Sequence, residues 1–101
     1  MKMLLDVTFP HEPFNALVRK GVLGKKMAEI MEAIKPEAAY FSEKDGHRGV
    51  TMIVDVAEPS KIPGIAEPLF LTFNADVKLR IVMTPEELGK AGLDAIGKKW
   101  A

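Results

Sequence analysis

The 101-residue sequence has no cysteine, no excess of either charge and no hydrophobic run long enough to cross a bilayer. Without cysteine there are no disulfides, no thiolate nucleophile and no cysteine-ligated metal. No stretch approaches the roughly 18 apolar residues of a spanning helix. The opening MKMLLDVTFPHEP offers one lysine and two consecutive leucines before Asp6, too short and too interrupted for a signal peptide. A cytoplasmic protein without a membrane partner is therefore the expectation. Fourteen Lys and Arg cancel fourteen Asp and Glu. That balance removes the basic face expected of a nucleic-acid binder and gives little protection against self-association. HxH, HExxH and carboxylate triplets are also missing, so neither a metal nor a cofactor is expected. "GVLGKK" lacks the GxxxxGK[ST] spacing of a phosphate loop and does not follow a strand.

What is present is the composition of an ordinary globular chain, 48% hydrophobic, of a length that makes residues 1–101 a single domain. "FNADVKLRIVM" alternates, with Val77, Leu79, Ile81 and Met83 on one parity and Asp76, Lys78, Arg80 and Val82 on the other. A period of two predicts a strand with two unlike faces. MKMLLDVTF alternates in the same way and stops at Pro10 and Pro13. From Phe14 the apolar spacing changes to three and four and runs to Ile34, interrupted at Gly21 and Gly24, which predicts two helical pieces. Two β-rich runs then flank Asp45-Gly46, a hairpin turn signal. A short helix is expected from near Ser60, kinked or restarted at Pro68. The second alternating strand follows. Thr84, Pro85 and Glu87 then form a capping box that opens a glycine-weakened C-terminal helix. The order β-α-β-β-α-β is the ferredoxin-like α+β arrangement, a four-stranded antiparallel sheet with both helices on one face and the first strand central.

The helix-facing parity collects Met3, Leu5, Val7, Phe9, Ala39, Phe41, Val50, Met52, Val54, Val56, Val77, Leu79, Ile81 and Met83. The opposite parity collects Leu4, Asp6, Thr8, Tyr40, Ser42, Thr51, Ile53, Asp55, Lys78, Arg80 and Val82. A face that mixes large apolar residues with charges is of the kind that meets another protein surface. Asp6 and Asp55 would repel if close, with Lys78 and Arg80 offsetting them in an acid–base–acid cluster. Three readings stay open for these charges. They are ion pairs on a wet face, a polar interface or chamber in a dimer, or a catalytic acid and base. His11, in "FPHEPF", is a loop residue that could act as a base or ligand, and His47 is explained by turn polarity. Trp100 is expected to dock the last helix or to reach a partner subunit.

The segment "VDVAEPSKIPGIAEPLFLTFNADVKLRIVMTPEEL" resembles the dimeric α+β barrel superfamily, in a layout similar to muconolactone isomerase. Asp55-Val56 would end the third strand, Pro68-Leu69-Phe70 would step from the short helix, and Val77 to Val82 would form the fourth strand. The chain is also similar to a group of short bacterial proteins through "KPEAAYF…DG.RG…DV…AEP.FLTFNADV". The resemblance implies a homodimer whose sheets pack face to face, with the mixed face turned into a chamber. It implies no haem, because the second helix carries no histidine to ligate it. In such a chamber Asp6 and Arg80 are the candidate catalytic pair, and Tyr40, Asp55, Lys78 and His11 are the candidate ligand-binding residues. The expected ligand is a small polar or anionic molecule, aromatic ones included. A cofactor-free isomerase or oxygenase-type enzyme, and a non-catalytic dimerisation module, are the alternatives.

Overall fold

A computed structural model describes all 101 residues. Four strands, β1 (Lys2–Phe9), β2 (Ala38–Lys44), β3 (His47–Asp55) and β4 (Asp76–Ile81), form one sheet. They lie in the order β2-β3-β1-β4 and every neighbouring pair is antiparallel. Helices α1 (His11–Arg19) and α2 (Leu23–Ile34) connect β1 to β2. A 3-10 turn at Pro59–Lys61 and helix α3 (Ile62–Phe73) connect β3 to β4. This is the ferredoxin-like α+β fold, with β1 between β3 and β4 as the strand pattern requires.

Local chemistry explains the joints. Asp45 and Gly46 both take positive φ, 50° and 81°, the conformation of a two-residue primed turn, and they lock Lys44 opposite His47. Gly21, at φ 72°, separates α1 from α2, and Asn74 in the left-handed region ends α3. Pro68 lies inside α3 without ending it. Leu69 and Phe73, fully buried just beyond it, anchor that helix to the sheet.

One face of the sheet makes the whole core. Fifteen buried residues form a single cluster, with Leu5, Val7, Phe9, Val50, Met52 and Val54 from the strands and Phe14, Ile30, Ile34, Leu69 and Phe73 from the helices among them. Phe9 meets Phe14 and Phe73 edge-on, at centroid distances of 5.2 and 5.0 Å. Three members of the expected helix-facing set are corrected. Phe41 is 57% exposed, Ile81 62% and Met83 60%. Parity puts them on the core side, but Phe41 and Ile81 sit on the edge strands beyond Ala39, Val77 and Leu79, the residues of those strands that pack against the core. Met83 lies beyond the last strand.

The C-terminal helix is corrected more deeply. It forms as two short pieces, α4 (Pro85–Gly89) and α5 (Leu93–Lys99), joined through Gly92 at φ 71°. The capping box is present: Thr84 accepts from the Glu87 backbone amide at 3.1 Å, and Glu87 accepts from the Thr84 amide at 2.9 Å. Yet every residue from 85 to 101 is exposed. The arm stands away from the body and stretches the molecule to 60 × 28 × 19 Å, with a radius of gyration of 17.2 Å. A compact domain of this length has a radius of about 13 Å.

Phe73→Ala is expected to cost about 3–5 kcal/mol, because it opens a cavity where α3 meets two other aromatic rings. Urea denaturation followed by circular dichroism measures it, and a cost below about 1 kcal/mol would mean that this junction is loosely packed.

Candidate functional site

The face without helices is ordered by strand register into rows. Ala38, Ile53, Leu4 and Arg80 lie side by side across the four strands, and Tyr40, Thr51, Asp6 and Lys78 form the next row. Asp6 and Lys78 are therefore direct cross-strand partners, and Arg80 flanks Leu4. Leu4, Asp6, Lys78, Leu79 and Arg80 line a depression of about 220 Å³. Neither Lys78 nor Arg80 makes a salt bridge within the chain. Two cations beside a leucine, neither of them salt-bridged within the chain, form a site that can take an anion.

Register separates the two acids that the sequence reading set together. Asp55 pairs across β1 with Lys2, not with the Asp6 row, and accepts from the N-terminal ammonium at 2.8 Å. That ammonium holds the Asp55 carboxyl below its ordinary pKa of 3.8, first by hydrogen bonding and then by charge. Lys2 meets Glu37 at 2.5 Å, and this hydrogen bond raises the Lys2 pKa above its ordinary value. Asp55 is thus occupied at the end of the sheet and does not join the central depression.

The group that engages Asp6 is Lys44, which the sequence reading missed. Lys44 leaves the end of β2, crosses β3 over Gly49 and brings its ammonium against Asp6 Oδ1 on β1. The two atoms are closed off from solvent and have no other hydrogen-bond partner. Gly49 makes the crossing feasible, since a Cβ there would lie 2.5–2.9 Å from Cγ, Cδ and Cε of Lys44. Burial is the main influence on Lys44 and pushes its pKa below the ordinary lysine value, and Lys78 pushes the same way.

Tyr40 is 73% exposed on β2, in the Asp6–Lys78 row but three strands from Lys78. Within one chain it does not line the depression. His11 lies at the other end of the sheet as the first residue of α1, where its ring stacks on His47 at 4.6 Å and 24°. His47 Nδ1 lies 3.2 Å from the Asp45 carbonyl. Both histidines border a shallow recess of about 340 Å³ with Ser42, Glu43, Gly46 and Arg48. No cluster of three metal-ligating side chains occurs.

No family model and no curated protein matches the chain. Among solved structures it is similar to the de novo designed protein "Ferredog-Diesel", at 10% sequence identity and a TM-score of 0.48, over 80% of this chain and 85% of that one.

Lys44→Ala is expected to cost about 1–3 kcal/mol, the range for stranding a buried acceptor. Gly49→Ala should destabilise only while Lys44 is present. In the Lys44→Ala background it should become neutral or stabilising by up to about 1 kcal/mol, because alanine orders a strand better than glycine. Denaturation of the four variants closes the cycle, and an equal Gly49→Ala cost in both backgrounds would show that the lysine stem does not cross there. The Asp55–ammonium pair has a defined pH dependence. Asp55 is depressed in the fold, so its contribution is present above the unfolded value of 3.8 and is lost as pH falls through its folded value. Thermal melts of Asp55→Asn and wild type should therefore differ above the unfolded value of 3.8 and converge as the pH falls progressively below it.

Proposed function

We propose that the protein is a homodimer whose two open sheet faces enclose a binding site for a small anionic molecule. The carboxylate of an aliphatic or aromatic acid is the group that fits. The observation that carries this reading is the pairing of Lys78 and Arg80, both without an internal counter-ion, with the half-buried Leu4 and Ile53 on the same face. A sheet with one packed face and one partly apolar, charged face is half of a sandwich, and a second copy supplies the other half. Arg80 offers a planar fork suited to a carboxylate, and Lys78 adds a point charge. His11 and Asp55 fall outside this site, at opposite ends of the sheet.

Binding is favoured over proton-transfer chemistry by the state of Asp6. A carboxylate whose charge is already engaged by Lys44 is poorly placed to abstract a proton. A cofactor-free isomerase using Asp6 and Arg80 would need Lys44 to swing away first.

Light scattering across a dilution series, with Arg80→Glu beside wild type, tests the dimer. The expected result is a dimer weakened by about tenfold or more in the variant. Benzoate and succinate then serve as probes, read as thermal shifts. They should raise the melting temperature of wild type but not of Arg80→Ala. Equal shifts in both proteins, or none in either, would place the anion elsewhere or remove it from the account.

A further inference from the structure

The residues from 84 to 101 have a defined conformation and nothing to pack on. Their capping box is complete and their helices are formed, yet Leu88, Leu93, Ile96 and Trp100 are all exposed, Trp100 at 76%. An apolar stripe on an arm that leaves the body is half of a contact. The other half is present on the same molecule, out of the arm's own reach. Phe41 lies bare on the core side of β2, at the sheet edge opposite the one from which the arm departs.

Symmetry brings the two halves together. Two open faces can meet about a two-fold axis running across the strands or along them. An axis across the strands sets β4 on the partner's β4, so that the free cations Lys78 and Arg80 face their own copies, which is repulsive. An axis along the strands sets β4 over the partner's β2. Lys78 then faces Tyr40 of the partner subunit, a cation over an aromatic ring, and Leu4 faces Ile53 of the partner subunit. The charges select the second arrangement. In it the arm leaves β4 beside the partner's β2, the edge that its own helices leave open.

We propose that the segment 84–101 of each copy clasps a second copy of this chain, laying Leu88, Leu93, Ile96 and Trp100 over the uncovered edge around Phe41 of the partner subunit. The clasp rests on the face-to-face dimer proposed above. Because every arm residue from 85 onward is exposed in the single chain, removing the arm leaves the core intact.

The experiment compares wild type, a chain ending at Met83, and the full-length Leu93→Asp/Ile96→Asp variant by light scattering, circular dichroism and emission of Trp100, the sole tryptophan. Expected is a wild-type dimer with Trp100 emission shifted to the blue. The shortened chain should lose only the helical signal of the arm, the full-length variant should keep its circular dichroism, and both should melt cooperatively while dimerising about tenfold or more weakly. In the full-length variant Trp100 emission should return to that of an exposed indole. Arm variants that dimerise as tightly as wild type would overturn the clasp and leave the face-to-face reading standing. A wild-type monomer at every concentration would overturn both.

Discussion

The structure depends on a sheet that is covered on one side only. All of the fully buried side chains, from Leu5 and Val7 on β1 to Phe73 on α3, lie between the sheet and its helices. Nothing in the chain covers the other face. At this length a domain buries only about two-thirds of the surface its unfolded chain exposes. Every apolar group left outside, such as Leu4, Ile53, Phe41 or Trp100, is therefore a large part of what remains to be gained by association. The absence of net charge removes the long-range repulsion that would oppose it.

The polar centre of the open face is set by a steric detail. Gly49 leaves a notch over which the Lys44 stem crosses, and the crossing brings an ammonium to Asp6 from two strands away. Lys44 consequently neutralises Asp6, and Lys78, across the sheet from the same carboxylate, stays free. Together with Arg80 it gives β4 an uncompensated positive stripe. In the proposed dimer that stripe would set which way two copies face each other and what charge a ligand between them carries. The arm extends the same logic, since it presents apolar surface where the edge of a facing copy would lie.

Much of the fold was legible in the sequence because strand alternation and turn chemistry are local. The parity of residues 77 to 80, the Asp45-Gly46 turn and the Thr84–Glu87 capping box each depend on neighbours within a few positions, and each formed as expected. Parity names a face but not its coverage, so Phe41, Ile81 and Met83 were assigned to a core that ends short of them. The site was legible in part. Asp6, Lys78 and Arg80 do converge, but Tyr40, Asp55 and His11 were grouped with them by parity or residue type alone. Asp55 falls outside because register is a long-range property, and register sets it beside Lys2. Lys44, the last residue of β2, continues the parity of Tyr40 and Ser42 at the strand end beside the turn. The turn at Asp45-Gly46 already fixed Lys44 opposite His47 and Ser42 opposite Gly49, so the signal was present.

The account stands on the open face of one chain meeting the open face of another. Mixing ¹³C-labelled with unlabelled chains and recording isotope-filtered nuclear Overhauser spectra tests this at the residues concerned. Cross-peaks between chains are expected from the methyl groups of Leu4 and Ile53, at the centre of the face. Contacts to water alone at those methyls, with no signal between chains, would show an open sheet face in a monomer and contradict the account.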